Sequence, residues 1–187
     1  MYYNKLMLNS LQNLINIVPI YKIQFFFEEI VIFIDPKNLF NLIFFLKNHS
    51  LSQYSVLTCI SGTDYPTKKL RFEVSYDLIS LIFNSRIRVK VLQNELESIE
   101  SCIEIFPSSS WYECEVWDMY GIFFKNHTNL RRILTDYGFE GHPLRKDFPL
   151  NGYIEVRYSE NQKRVINESI EFSQEYRTFN FFGPWNL

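Results

Sequence analysis

Strict alternation of apolar and polar residues marks two segments in the middle of the chain as strands. In LRFEVSY (70–76) every second residue is apolar, and IRVKV (87–91) repeats the pattern. A period of two places the apolar side chains of a strand on one face. We therefore predict strands of an antiparallel or mixed sheet with one buried face. Two β-branched runs, EEIVIFI (28–34) and YSVLTCI (54–60), predict the neighbouring strands.

Helical spacing predicts the elements that cover this sheet. Asp35 followed by Pro36 is a favourable helix start. Residues 4–17 have apolar positions at helical spacing and end before Pro19. The helix after Pro36 is expected to turn one aliphatic face inward, formed by Leu39, Leu42, Ile43 and Leu46.

Two short helices are predicted on either side of a proline, over residues 98–106 and 110–120. In the second, Ser110 and Glu113 have the spacing of a capping box, and Gly121 follows the last turn. These elements give residues 1–124 the composition of one α+β domain, with helices packed on a mixed or antiparallel sheet.

Residues 125–187 are predicted to form an extended docking loop, a β-hairpin and a C-terminal tail. The hairpin is indicated by YIEVRY (153–158) and KRVINE (163–168), joined by a polar turn. The loop LTDYGFEGHPLRKDFPL (134–150) fits neither a helical nor a strand period. One hairpin cannot bury the many aromatic residues after position 134, so we expect a partner surface to cover them and to fix the shape of the loop.

Charge and composition exclude several classes of protein. The net charge of −2 lacks the positive excess that nucleic-acid binding requires, which argues against an RNA-binding module using the strand face of Arg86, Arg88 and Lys90.

Aromatic residues make up 18% of the chain, and alanine is absent. This bias indicates an AT-rich, organellar genome, and the N-terminus shows no import presequence, so we expect synthesis inside the organelle.

The cysteine spacing argues against several kinds of cysteine site, and the charges in the apolar segments argue against a membrane span. Cys59, Cys102 and Cys114 are odd in number and widely spaced, which argues against a disulfide framework, a zinc module or a self-contained iron–sulfur cluster. The apolar stretch 14–34 contains charged residues, so no direct membrane span is expected.

The titratable residues around the loop allow an enzymatic interpretation, which we weigh against a structural one. His127, Asp136, His142 and Asp147 could hold a metal ion, but their spacing matches no zinc motif, and surface or interface hydrogen bonding is favoured. Cys114 could be a nucleophile, although its acidic neighbours would raise the pKa of its thiol.

The charged pairs of this region are also better explained by pairing than by ligand binding. Arg131-Arg132 and Arg145-Lys146 could hold an anion, yet no glycine-rich loop opens a helix beside them, so we expect interdomain or intersubunit ion pairs. Glu115 and Asp118 lie at i and i+3 of the predicted helix. We expect them to face solvent or to pair with Arg131 or Arg132.

The segment WYECEVWDMYGIFFKNHTNLRRIL and the loop after it resemble the 30 kDa subunit family of respiratory complex I, the subunit 9 or NuoC type, in its mitochondrion-encoded form. The signature is met by Glu113, Glu115, Asp118, His127 and Arg131, while Cys114 stands where the family has arginine. The resemblance extends to the G-x-D-Y-P turn and the P-L-R-K-D-F-P loop. The remaining signature and subunit-interface positions are Gly141, His142, Pro143, Leu144, Arg145, Lys146, Asp147, Pro149, Glu155, Arg157, Tyr158, Glu175 and Arg177.

The resemblance implies a non-catalytic core subunit of the peripheral, quinone-module arm of proton-pumping NADH:ubiquinone oxidoreductase. It implies docking on the large hydrogenase-like subunit, with FMN and iron–sulfur clusters held by other subunits and none on this chain. The expected location is the matrix side of the mitochondrial inner membrane. Two alternatives stay open: the equivalent subunit of a chloroplast-type or hydrogenase-related complex, and a stand-alone metal-dependent enzyme using His127 and His142.

Overall fold

The protein is described by a computed structural model that covers residues 12–26, 29–177, 179 and 183. It divides into two compact units, Met1–Phe148 and Pro149–Leu187. The first unit thus reaches Phe148, whereas the sequence pattern placed a boundary after residue 124. The loop belongs to the first unit because its polar groups bind the helix Ser109–Tyr120 and the sheet, and a local pattern does not reveal these contacts.

A mixed sheet forms the centre of the first unit, as predicted, and it has five strands, four of which the sequence pattern predicts. The strands are β1 (Ile20–Phe26), β2 (Glu29–Ile34), β3 (Val56–Asp64), β4 (Phe72–Ser80) and β5 (Ser85–Gln93). Their order in the sheet is β1-β2-β5-β4-β3, with β2 and β5 parallel and all other neighbours antiparallel.

Helices supply the other layer of the core. Residues 12–17 are helical (α1), and the rest of the predicted helix 4–17 lies outside the described residues. A 3₁₀ turn, Pro36–Asn38, leads into α2, Leu39–Asn48. All four aliphatic residues predicted to face inward from α2 are buried, and they join the apolar face of β2, β4 and β5. The helix α3 is Ser109–Tyr120, and it ends at Gly121 in the left-handed conformation.

Three local expectations were wrong or incomplete. Residues 98–106 do not form a helix: Ser98–Glu100 is a short strand, β6, that pairs in parallel with β7, Phe123–Lys125. This pairing joins segments far apart in sequence, so no local period reveals it. The capping box is absent, because Ser108 is the N-cap and the carboxylate of Glu113 is used elsewhere. The edge strand β1 was not predicted.

The second unit contains the predicted hairpin. Its strands are β8 (Ile154–Ser159) and β9 (Arg164–Ser169), paired antiparallel. The register places the odd- and even-numbered residues of β8 on opposite faces, as the alternation of YIEVRY requires.

Candidate functional site

The segment after β7 is anchored by one carboxylate of α3. Asp118 is fully buried, and its Oδ2 accepts hydrogen bonds from the backbone N–H groups of Ile133 (3.1 Å), Leu134 (2.8 Å) and Thr135 (3.0 Å). Its Oδ1 accepts from the Thr135 hydroxyl at 2.6 Å and from Arg132 at 3.0 Å. The expected pairing of Asp118 with Arg131 or Arg132 is thus confirmed for Arg132.

This cluster of hydrogen-bond donors stabilises the ionised form of Asp118. Burial alone would raise the pKa of its carboxyl, but the hydrogen bonds from Thr135, Leu134 and Ile133 outweigh burial and lower the pKa to about 2. The side chain is therefore ionised at neutral pH, and its charge fixes the path of the backbone that leads into the loop.

A second buried carboxylate, Glu113, holds the opposite side of α3. It accepts hydrogen bonds from the Ser101 hydroxyl at 2.5 Å and from the backbone N–H of Cys102 at 2.8 Å. Burial raises the pKa of Glu113, and these hydrogen bonds only partly offset that effect. Glu113 therefore connects α3 to the segment after β6 and points away from solvent.

The side chain of His127 is enclosed beside Glu113 and is bound by backbone groups. Its Nδ1 accepts a hydrogen bond from the backbone N–H of Asn129 at 3.1 Å, so Nε2 carries the proton and faces the carbonyl oxygen of Ser110 at 3.3 Å. The thiol of Cys114 lies 3.9 Å from Nε2 and also faces the carbonyl oxygen of Asn129. Because Cys114 and the ring of His127 are buried, a substrate has no access to them.

The P-L-R-K-D part of the loop binds the C-terminal end of α3. The Nδ1–H of His142 donates to the carbonyl oxygen of Asp118 at 3.0 Å, and the backbone N–H of Leu144 donates to that of Met119 at 3.1 Å. The guanidinium of Arg145 donates to the carbonyl oxygen of Tyr120 at 2.6 Å. These contacts satisfy carbonyl groups that a helix end leaves without partners. Burial lowers the pKa of His142, which favours its neutral form.

An ion-pair network joins the same loop to the β3–β4 turn. Arg71 binds the fully buried carboxylate of Asp64 through two nitrogens, at 2.7 and 2.9 Å, and reaches Asp147 at 3.0 Å. The backbone N–H of Lys146 donates to Asp64 at 2.8 Å. Arg145 and Arg71 both pair with Glu95. The pairing with Arg71 lowers the pKa of Asp64 and of Asp147.

Two glycines permit this close packing. Gly121 has φ +76°, and a Cβ added there would lie 2.5 Å from Nε2 of His142 and 2.6 Å from Nη2 of Arg145. At Gly62, a Cβ would lie 2.7 Å from the ring of Tyr120. Glycine at both positions therefore lets the loop, the end of α3 and β3 meet.

The expectation that an outside surface shapes the loop is therefore wrong for residues 134–148. Their backbone is held by Asp118, Asp64 and the end of α3. Asp64, Arg71 and Glu95 were missed as loop partners, because nothing local in their segments indicates a contact with residues 50 to 82 positions later. The sequence predicts interdomain or intersubunit ion pairs for the arginines of this region, and the pairs of Arg132 with Asp118 and of Arg145 with Glu95 do cross the predicted domain boundary after residue 124.

Several signature residues instead point outward. Glu115, Arg131 and the side chain of Lys146 are exposed and form no ion pair with any residue of the described chain. Leu144 and Tyr137 are exposed as well. Gly141 lies against the ring of Phe148. Pro143 is half-buried and Pro149 is exposed. The signature thus divides into residues that hold the loop and residues that are exposed.

The hairpin presents one apolar face. Ile154, Val156, Tyr158 and Val165 share this face and are 55–62% exposed. The opposite face contains Glu155 and an ion pair in which Arg157 binds Glu168 at 2.5 and 2.7 Å.

In the segment after the hairpin, Arg177 donates to Gln174 at 3.2 Å, and the neighbouring Glu175 is exposed.

Among the described residues, no three His, Cys, Asp or Glu side chains converge to form a metal site. In particular, His127 and His142 bind different partners. Within the same residues, we find no helix with the length and apolar character needed to cross a membrane.

Comparison with known proteins assigns the family. Residues 32–154 match the family described as "Respiratory-chain NADH dehydrogenase, 30 Kd subunit". The chain is 53% identical over 157 residues to NADH-ubiquinone oxidoreductase subunit 9 of Reclinomonas americana, covering 84% of this chain and 77% of that protein. It is 57% identical over 147 residues to NADH dehydrogenase [ubiquinone] iron-sulfur protein 3 of Solanum tuberosum, covering 79% and 77%.

A solved structure shares the fold. It is a chain of the membrane-bound sulfane sulfur reductase, an archaeal respiratory membrane complex, with a TM-score of 0.66 and 18% identity, covering 90% of this chain and 98% of that chain. At this identity the likeness concerns the fold alone. The family match and the curated relatives together show that the chain belongs to the 30 Kd subunit family of respiratory-chain NADH dehydrogenase.

Proposed function

We propose that this chain is a non-catalytic core subunit of the peripheral, quinone-module arm of proton-pumping NADH:ubiquinone oxidoreductase. It docks on the large hydrogenase-like subunit and supports electron transfer from NADH to quinone by holding neighbouring subunits in place. Its location is the matrix side of the mitochondrial inner membrane. The family and its relatives in Reclinomonas americana and Solanum tuberosum support this proposal.

The apolar face of the hairpin is the observation that carries the docking proposal. A two-stranded hairpin is marginally stable by itself, and four large side chains on one exposed face give it no core of its own. A contiguous exposed apolar surface of this kind is typical of an interface. The polar face, with its ion pair between Arg157 and Glu168, stays toward solvent.

The loop contributes to docking in a different way from the hairpin. Because residues 134–148 are already held by their own domain, binding a partner orders less chain and so loses less conformational entropy. The outward Arg131 and Lys146 then meet acidic groups of the partner, and Leu144 and Tyr137 supply apolar contact.

We further propose that FMN and the iron–sulfur clusters are held by other subunits. The relatives include proteins named for iron–sulfur, yet a cluster on this chain would need converging cysteines. Here Cys102 and Cys114 are buried, and Cys59 lies on the sheet with its thiol facing Asp77 at 3.3 Å. His127 and His142 are likewise occupied by backbone groups, which disfavours a metal-dependent enzyme built on them.

Assembly of the complex tests the proposal. Val156→Glu places a charge in the apolar face, and burying it unpaired costs several kcal/mol, so the variant should be at least tenfold less abundant in the complex. Gln162→Glu is the matched control, since it adds the same residue at the hairpin turn and keeps an acceptor for Arg164. Equal incorporation of the two variants would show that the apolar face is not an interface.

A further inference from the structure

A turn at the start of the second unit contains the dipeptide Asn151-Gly152, the only Asn-Gly pair in the sequence. The turn precedes β8, and the backbone N–H of Gly152 closes it by donating to the carbonyl oxygen of Pro149 at 3.0 Å. Asparagine and glycine are both common in turns. Turn formation therefore explains the two residue types, but it does not use the side chain of Asn151.

The side chain of Asn151 is not held in place by the chain that the structure describes. Asn151 is exposed, and its amide makes no hydrogen bond to any described residue. The neighbouring Leu150 is 89% exposed. Gly152 has φ +72°, and a Cβ placed on it would meet no described atom within 4 Å. Within the described chain, the amide of Asn151 is therefore free to rotate toward the backbone nitrogen that follows it.

An asparagine side chain in this position reacts with the next backbone nitrogen. The nitrogen of Gly152, after losing its proton to a solvent base, attacks Cγ of Asn151 and forms an N–Cγ bond. The Cγ–Nδ2 bond then breaks, the leaving nitrogen takes a proton from solvent, and ammonia departs. Water opens the resulting cyclic imide at either carbonyl and gives aspartate or isoaspartate, so the reaction needs no oxidant or reductant. Glycine favours the attack because it has no Cβ to crowd the nitrogen.

The hydrogen bond between Gly152 and Pro149 restrains this reaction without preventing it. The bond must break before the nitrogen of Gly152 can lose its proton and turn toward Asn151. An exposed turn closed by one backbone hydrogen bond opens at a small cost in free energy, because few contacts are lost. We expect the reaction to proceed from these brief openings while the hairpin remains folded.

We propose that Asn151 is a site of spontaneous deamidation in the folded, unassembled chain. The product has a new negative charge at neutral pH, and its isoaspartate form adds one methylene group to the backbone. Both changes lie just before β8, which begins at Ile154. The inference goes beyond the proposed function and does not depend on it, because the reaction requires only the chain and water.

Incubation of the isolated full-length chain in water labelled with heavy oxygen tests the proposal. The label marks acid that formed before digestion. Trypsin then releases residues 147–157, which contain Asn151, and residues 158–163, which contain Asn161, and mass spectrometry measures the labelled acid in each peptide.

Asn161 is a matched control within the same unit. It is exposed in the hairpin turn, and the backbone N–H of the next residue, Gln162, also donates a hydrogen bond. We expect Asn151 to convert at least about tenfold faster than Asn161, because the side chain of Gln162 crowds the attacking nitrogen. Conversion of Asn151 should also become faster as the pH rises, since the attacking nitrogen must lose its proton. Equal rates at Asn151 and Asn161 would overturn the proposal.

A variant and a denatured sample complete the test. Gly152→Ala should slow the conversion about tenfold, because its Cβ lies beside the attacking nitrogen. Unfolding of the variant would speed the reaction, so a slower rate cannot result from poor folding. The rate in the folded wild type should lie within about a hundredfold of the rate in urea, since the turn opens easily. Conversion that occurs only in urea, or a Gly152→Ala variant that converts as fast as the wild type, would overturn the proposal.

Discussion

Replacing Asp118 with asparagine tests how the loop is held. The substitution keeps the shape of the side chain but removes the charge that accepts five hydrogen bonds from the chain after β7. The pKa of Asp118 is lowered from 3.8 to about 2 in the folded protein. A shift of nearly two units corresponds to about 2 kcal/mol of stability at neutral pH.

The asparagine variant also turns an amide NH₂ toward Arg132 and Thr135, which donate to Asp118 in the wild type. This mismatch adds about 1 kcal/mol, so we expect a total loss of about 2–4 kcal/mol in the free energy of unfolding. Urea denaturation of the full chain, followed by tryptophan fluorescence, measures it. Limited proteolysis should show faster cleavage within residues 133–148, because these residues lose their anchor.

The contribution of Asp118 to the free energy of unfolding depends on pH. Because the folded-state pKa lies below the unfolded value of 3.8, the contribution of Asp118 is complete above about pH 5 and disappears as the pH falls toward 2. The difference between wild type and Asp118→Asn should therefore shrink over this range. Glu115→Gln, an exposed carboxylate on the same helix, serves as the control and should change stability by less than about 0.5 kcal/mol. A pH-independent loss equal to that of the control would refute the anchoring role.

Three further substitutions or conditions test the same region. Gly121→Ala should destabilise the first unit by at least about 2 kcal/mol, because of strain at φ +76° and contact with His142 and Arg145. Gly138→Ala is the control, because Gly138 has φ +72° but open space around it, so only the smaller effect of strain is expected. Equal melting temperatures of the two variants would contradict the close packing at Gly121. Arg71→Lys should lower stability by about 1–2 kcal/mol, because lysine cannot bind Asp64 through two nitrogens, and an unchanged urea midpoint would contradict this. Acid should unfold the wild type progressively below about pH 4, because Asp64, Asp118 and Asp147 all have lowered pKa values. Circular dichroism during an acid titration measures this, and a signal that stays unchanged below about pH 4 would contradict the prediction.

The sheet and its covering helix follow from sequence because their signals are local. The alternation in β4 and β5 and the aliphatic stripe of α2 each repeat within a few residues, and the structure reproduces both. The same holds for the hairpin, whose two strands flank a polar turn. In each case the pattern and the packing agree.

The features that escaped prediction depend on contacts between distant segments. The strand β6 is three residues long and is defined only by its pairing with β7. The loop contains no periodic pattern, and its conformation is set by Asp118 and Asp64, the second of which lies far earlier in the chain. The family signature located these residues, but their roles as anchors rather than partner contacts became clear only from the hydrogen bonds.

Photo-crosslinking from the apolar hairpin face tests the central claim most directly. A photoreactive amino acid replaces Val156 in the full chain, the chain is incorporated into the membrane-bound assembly, and the irradiated product is analysed by mass spectrometry. We predict one dominant crosslink, to a single larger subunit of the complex, and none when the same probe replaces Gln162 at the turn. A probe at position 156 that reacts only with water, in a chain that is nevertheless part of the complex, would contradict the account.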